Sequence, residues 1–446
     1  MNTHTQASIF TKVSKWIKES LFVKLSVIGF IILLLLLPNA LIQDLINERS
    51  YTQTSVMQEV SSKWGGSQSI VGPVLTIPYV DFYENSDGKI IETTKYIHYL
   101  PEEVTIDGDV EPKQRKRGIY EVILYQSLFD FSGSFELPDF KTLDVSQENI
   151  LFDKAFIQVS ISDMSGINER VEFTLNDKSQ LMEPGIVKMN GFESGLKIPI
   201  TIDKEVMTLD FQFDLDINGS KELTFGPIAK ETNVIVNSTW DSPSFLGSFL
   251  PDERTINKDG FSAQWKVLDL NRNYPQTWKG NNQNLLQSSF GVELIEPVDE
   301  YSKNYRSAKY SLLVIILTFL VFFLIEVINK QRVYPMHYVF VGLAISIFYI
   351  LLLSLSEHLG FDSAYLISSV SIIGLIGLYA SKILGSKKLA LLLTAIMIIL
   401  IGFIYVILQL EDFSLLVGSI GLFIALAGTM YYSRNIDWGN LRQSIE

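Results

Sequence analysis

The chain contains no cysteine. That excludes disulfides, thiolate metal sites, thioether-linked haem and cysteine nucleophiles. Histidine is nearly missing too: His4, His98, His337 and His358 fall in no H-E-x-x-H or other metal-ligating spacing. There is no phosphate-cradling glycine loop, no G-x-G-x-x-G turn and no G-x-S-x-G elbow. Carboxylates are plentiful, yet no pair stands out as general acid and base. The chain thus names no catalytic residue, no metal ligand and no cofactor, which weakens an enzymatic reading. Positive charge is short as well: the net charge is −13. An acidic chain lacks the basic face that supplies most nucleic-acid affinity, so nucleic acid is not expected as a partner.

What the chain has is long uncharged apolar runs. Residues 21–42 read LFVKLSVIGFIILLLLLPNALI, and residues 310–432 are almost entirely apolar. A run of about 20 apolar residues crosses a bilayer, since a helix rises about 1.5 Å per residue through a core about 30 Å thick. Six spans are expected: 21–42, then about Tyr310–Asn329, Tyr338–Ser356, Ser363–Lys382, Leu389–Leu410 and Phe413–Tyr432. Lys and Arg near short loops stay in the cytoplasm. Lys12, Lys15, Lys18 and Lys24 therefore put the N-terminus inside. Lys330, Arg332, Lys387, Lys388, Arg434 and Arg442 mark the other inner ends, while Glu357, Asp362, Glu411 and Asp412 mark outer ones. The resulting organisation is a cytoplasmic tail (1–20), an anchor helix (21–42), a large external domain (43–307), a five-helix membrane domain (308–432) and a cytoplasmic tail (433–446). The first span lacks a small-x-small cleavage site. It reads as an uncleaved anchor, bent at Pro38 and continuing as helix toward Trp64.

The external segment holds most of the acid. Residues 43–307 carry a net charge of −17 and the remainder +4. From Gly72 the pattern turns to strands. In Met207–Ile217, apolar and polar residues alternate, which places Leu209, Phe211, Phe213 and Leu215 on one face. Asn218-Gly219 then predicts a hairpin turn into Glu222–Phe225. Further strands are expected at Val74–Val80, Ile119–Tyr125, Ala155–Ile161, Lys197–Ile202, Asn233–Asn237 and Phe261–Leu268. The fold class is α+β: six transmembrane helices and a β-rich, antiparallel, sandwich-like domain. An echo between 122–139 and 234–252, each with Phe-x-Gly-Ser-Phe before Leu-Pro-Asp, raises the alternative of two related β lobes.

Several polar groups need weighing. Glu326 lies inside a span, where an ionisable side chain is a functional hypothesis by default. It also sits four residues before Lys330, which suits an interfacial helix pair. Glu357 and His358 offer either a proton-linked switch or a polar loop capping the next helix. The basic run Lys113–Arg117 either meets lipid or glycolipid phosphates or forms a solvated turn. Lys63-Trp64-Gly65-Gly66 either sets Trp64 near the headgroups or is a plain helix stop at glycine.

Blocks spread along the chain resemble one family: EVSSKWGGSQSIVGPVLTIPY (59–79), YLPEEVTIDGDVEPKQRKRGIYEVILY (99–125), WKVLDLNRNYPQ (265–276), residues 290–327, residues 341–369 and RNIDW (434–438). Together they resemble the CreD family of bacterial inner-membrane, cell-envelope integrity proteins. The resemblance implies a Gram-negative inner membrane, a periplasmic domain, and a link to envelope stress and colicin tolerance. It carries over no catalytic residue. The motif residues it singles out at the membrane–domain junction are Trp64, Gly65, Gly66, Arg117, Gly118, Tyr120, Glu357 and His358. Expected partners are membrane lipid and envelope proteins or glycolipid. The leading expectation is a non-enzymatic envelope-integrity protein. The alternative is a transporter or flippase with a polar path through Ser354, Ser356, Ser368, Ser369, Ser371 and Glu326.

Overall fold

The computed structural model of the chain describes residues 21–84, 88–137, 145–191, 193–202, 207–294, 300–329, 333–410 and 413–434. The tail bases Lys12, Lys15, Lys18 and Arg442, the loop residues Lys330, Arg332, Glu411 and Asp412, and His4 lie outside them. The chain divides into two compact units. One comprises residues up to 52 and from 298 onward, and the other residues 53–297.

Among the described residues, six helices are long and apolar enough to cross a membrane, one near the N-terminus and five near the C-terminus. Helix α1 runs unbroken from Leu21 to Trp64 with Pro38 inside it. The polar sequence after the first apolar run therefore continues as helix, as its spacing suggests. After the β strands come α2 (Glu300–Lys309), α3 (Ser311–Asn329), α4 (Pro335–Leu359), α5 (Phe361–Ile383), α6 (Lys387–Gln409) and α7 (Ser414–Ser433). Only a turn at Tyr310 separates α2 from α3, where the Tyr310 amide bonds the Ser307 carbonyl at 3.0 Å. Pro335 starts α4 in the one position where a missing N–H costs nothing.

The β unit contains seventeen strands among its described residues. They are β1 (Gln68–Glu84), β2 (Ile90–Tyr99), β3 (Glu103–Arg117), β4 (Tyr120–Glu136), β5 (Ala155–Ile161), β6 (Glu172–Leu175), β7 (Lys178–Leu181), β8 (Glu183–Pro184) and β9 (Gly195–Ile200). The rest are β10 (Thr208–Ser220), β11 (Glu222–Phe225), β12 (Glu231–Ser238), β13 (Pro243–Gly247), β14 (Glu253–Asn257), β15 (Gly260–Leu268), β16 (Thr277–Lys279) and β17 (Phe290–Leu294). One sheet has the order β13-β17-β11-β1-β5-β9-β8, with β2 joining β1 to β16. The other has the order β14-β15-β12-β3-β4-β10-β6-β7. A single hydrophobic cluster draws on both sheets. The alternation in β10 works as its sequence indicates: Leu209, Phe211, Phe213, Leu215 and Ile217 are all buried. Phe213 stacks on Phe131 of β4 at 4.6 Å between ring centroids, in register across the strand pair.

Three expectations need correction. The sheets are mixed, not wholly antiparallel, because β1–β11 and β3–β12 pair in parallel. Asn218-Gly219 is no hairpin turn: both residues stay in β10, paired with Gln126 and Tyr125. The chain turns at Lys221, with φ of +63°, and β11 enters the other sheet. Gly219 serves a close approach instead, since a Cβ there would lie 2.2 Å from the Tyr125 hydroxyl. Finally, the echoed segments occupy different settings. Phe131–Phe135 lies within β4, whereas Phe245–Phe249 begins in β13 of the other sheet and runs past its end. The strands that open the two segments, β4 and β12, do share a sheet, so the difference lies in the Phe-x-Gly-Ser-Phe blocks.

Candidate functional site

In the β unit the site grows from the end of α1. The helix stops at Trp64 because Gly65 takes a φ of +147° that L side chains avoid. A Cβ on Gly65 would meet the Asn218 carbonyl oxygen at 2.5 Å. The Gly66 amide donates to Asp163 Oδ2 at 2.8 Å, and the Ser220 amide donates to the Gly66 carbonyl at 3.1 Å. Gln68, buried at the start of β1, ties the parts together. Its Nε2 donates to the carbonyls of Asp163 and Asn218, both at 2.9 Å, and its Oε1 accepts from the Asp163 amide and the Ser162 hydroxyl, both at 3.2 Å. Burial pushes the Asp163 carboxyl up, but hydrogen bonds from Ser165 and the Gly66 amide outweigh it and hold the group below its usual range.

The indole of Trp64 donates through Nε1 to the Tyr125 carbonyl at 3.1 Å. The Arg115 guanidinium lies over its ring at 4.5 Å, a cation–π contact. The basic run is neither a turn nor unpaired. All of it lies in β3, before the two-residue turn Gly118-Ile119, where Gly118 has a φ of +64°. Lys113 donates to Gln126 at 2.7 Å, Lys116 pairs with Glu121 at 2.6 Å, and Arg117 pairs with Glu59 of α1 at 2.9 Å. Tyr120, opposite Arg117, is buried. Trp64, Gly65, Gly66, Arg117, Gly118 and Tyr120 thus all fall where α1 meets the sheets. Beside them is an open groove of about 710 Å³. Met57, Val122 and Leu294 give it apolar wall, and Asp163, Lys221 and Glu293 give it polar wall. Lys221 pairs with Glu293 at 3.3 Å.

Glu357 and His358 belong to the other unit. They are not in a loop but in the last turn of α4. Glu357 accepts from the Tyr301 hydroxyl at 3.0 Å and lies 3.8 Å from Arg49 Nε, while His358 is exposed. Asp362 makes no side-chain cap for α5; it accepts from Tyr405 and Gln409 of α6, at 3.0 and 2.6 Å. Glu326 is buried, three residues before the end of α3. Its carboxylate takes the Lys24 ammonium, the Val333 amide at 3.0 Å and the Tyr338 hydroxyl at 3.2 Å. The partner is therefore a residue about 300 positions away, while Lys330 lies outside the described residues. Of the proposed serine path, Ser356, Ser368 and Ser369 are buried. Ser354 is exposed, and Ser371 is exposed and bonds the Ile367 carbonyl.

Sequence reasoning missed Gln68, Asp163, Gly166 and Asn218. A Cβ on Gly166 would lie 2.3 Å from the Asn218 carbonyl oxygen. The local signals were an Asp-x-Ser turn at Asp163 and an Asn-Gly pair that served another purpose. Among the described residues no group of three or more His, Asp or Glu is arranged to hold a metal ion.

The comparisons agree on one family. The family model described as "Inner membrane protein CreD" matches residues 20–439. The chain is also similar to the Inner membrane protein CreD of Escherichia coli (strain K12), with 33% identity over 430 residues, covering 95% of this chain and 94% of that protein.

Proposed function

Since the chain belongs to the CreD family of inner membrane proteins, we propose that it maintains the integrity of the cell envelope, without catalysis, by binding an envelope partner through its β unit. Both termini face the cytoplasm in this reading, and residues 43–307 face the periplasm. The role extends to envelope stress and colicin tolerance. The observation that carries the proposal is the groove where Met57, Val122 and Leu294 adjoin Asp163, Lys221 and Glu293. Its mixed walls and volume suit a partner with apolar and polar parts. Trp64, Gly65 and Gly66 fix the helix end that forms one side of it.

Two experiments test this. Reporter fusions after residues 200 and 360 should read as periplasmic, and fusions after 334 and 446 as cytoplasmic; a cytoplasmic signal at 200 would end the topology. A long Gly/Ser linker inserted at residue 299 should abolish tolerance of envelope stress at matched expression, because slack absorbs any displacement passed between domain and helices. Full protection would reduce the helices to an anchor. A second reading, passage of a solute through the helices, has one observation in its favour, the buried polar groups of α2 and α3.

A further inference from the structure

Strand β4 loses one neighbour before it ends. Along most of its length it lies between β3 and β10, but the β10 register stops at Ser220, opposite Leu124. Lys221 then takes its φ of +63° and the chain leaves for β11 in the other sheet. The β3 register continues to Arg117, opposite Tyr120. Residues 120–123 therefore have β3 on one side and, among the described residues, no strand on the other.

The ladder decides which backbone groups are left over. Gly118-Ile119 is a two-residue turn, so its closing pair, Arg117 and Tyr120, exchanges both backbone bonds. Bonding then alternates along β4. Val122 and Leu124 also bond β3, while Glu121, Ile123 and Tyr125 turn their N–H and C=O groups to the other side. Tyr125 meets Gly219 of β10 there, and its carbonyl also takes the Trp64 indole at 3.1 Å. Glu121 and Ile123 make no backbone bond on that side among the described residues. Two donors and two acceptors thus stand open in a row, the template on which a sheet edge adds a further strand. This edge borders space. Val122 and Ile123 line the groove of about 710 Å³, together with Met57, Gln58 and Ser61 from the last turns of α1. The helix is held beside the hairpin by β3, through Arg115 over the Trp64 ring at 4.5 Å and Arg117 on Glu59 at 2.9 Å. Val122 lies opposite Arg115 in the ladder, so its side chain is on the α1 face.

We infer that the groove receives an extended polypeptide segment of a partner protein, which adds to the open edge of β4 as a strand. Backbone bonds to Glu121 and Ile123 hold the segment, the mode by which a sheet edge recognises a peptide. At a rise of about 3.4 Å per residue, the open edge runs roughly 14 Å, room for four residues of the segment. Its alternate side chains turn toward α1, where Met57 and Val122 call for an apolar residue. A lipid chain would satisfy that apolar wall but leave the four backbone groups of the edge without partners. The inference rests on the groove being a partner site and adds the form of the partner.

The test pans the full-length protein against displayed random heptapeptides, then measures binding of the enriched peptides, resynthesised with a fluorophore, by anisotropy. Ser61→Trp, which fills the groove, should weaken binding by about tenfold or more. Glu121→Pro removes the outward N–H and spares the β3 ladder, since a strand tolerates proline where the N–H faces away from its neighbour. It should bind about tenfold more weakly than Glu121→Ala, which keeps the N–H. N-methylation of alternate peptide residues should abolish binding in one register and spare it in the other, because only alternate amides of a strand face its neighbour. Should Glu121→Pro fail to fold, the methylated peptides decide. No enriched peptide that Ser61→Trp releases, equal binding by the proline and alanine variants, or indifference to the methylation register would each overturn the inference. Tolerance of envelope stress separates it from the reading on which it rests. Protection lost with Ser61→Trp but kept with Glu121→Pro would retain the groove as a partner site and refute the added strand, whereas protection unaffected by Ser61→Trp would remove both.

Discussion

Replacing Gly65 by alanine should unfasten α1 from the sheets, and the size of the effect follows from two separate penalties. With φ at +147°, an alanine occupies a region that costs about 1–3 kcal/mol. Its Cβ would also sit 2.5 Å from the Asn218 carbonyl oxygen and 2.9 Å from the carbon. These are backbone atoms, and the oxygen is held by Gln68 Nε2, so yielding means breaking that bond. Overpacking against an unyielding wall costs about 1–3 kcal/mol more, giving a total on the order of 4 kcal/mol. Gly118 provides the control. Its φ is +64° but nothing lies within 4 Å of its Cβ position, so Gly118→Ala should cost only about 1 kcal/mol, the left-handed penalty. A fragment of residues 53–297, unfolded in urea and followed by circular dichroism, measures both. If Gly65→Ala and Gly118→Ala shift the midpoint equally, the close approach to Asn218 does not restrain the helix end.

The remaining predictions concern buried groups. Glu326→Gln should destabilise the helical unit by about 1–3 kcal/mol, the cost of weakening the hydrogen bonds and ion pair of a buried carboxylate whose partner Lys24 is half-buried; in a double-mutant cycle with Lys24→Gln the penalties should be strongly non-additive, and simple additivity would dissolve the pair. Burial pushes His98 down to about 4, partly offset by Asn281, with Thr76 Oγ1 2.9 Å from its Nδ1. The fold therefore keeps it neutral while the unfolded chain gains a proton near pH 6.5. Stability is full above pH 6.5 and falls as the pH drops toward 4, by about 3 kcal/mol in all. His98→Gln should flatten that slope in acid unfolding of the same fragment, and an unchanged slope would refute the assignment. Phe213→Ala should cost about 3–5 kcal/mol by urea titration, because its ring is buried against Phe131 and Phe173.

Local pattern was enough for the elements. A span is a matter of consecutive apolar residues, so all six are readable from hydropathy; α4 to α7 begin and end within a few residues of the expected limits, whereas the first helix runs on to Trp64 and the second apolar stretch begins at Glu300. Strands such as Ala155–Ile161 and the buried face of β10 follow from alternation, since successive side chains point to opposite sides. The stop at Trp64 follows from two glycines. Pairing across long stretches of chain was not readable, because it depends on which surfaces meet. Glu326 had a plausible neighbour at Lys330, yet its bond runs to Lys24 on another helix. Asn218-Gly219 has the composition of a turn, yet the neighbouring strand's Tyr125 requires the glycine for room. The basic run Lys113–Arg117 gains its meaning from Trp64 and Glu59, which only tertiary packing brings alongside. Hydropathy and alternation act over a few residues and can be read in order. Registers, ion pairs and close backbone approaches are decided between segments distant in sequence, and for those the folded chain is the sole source.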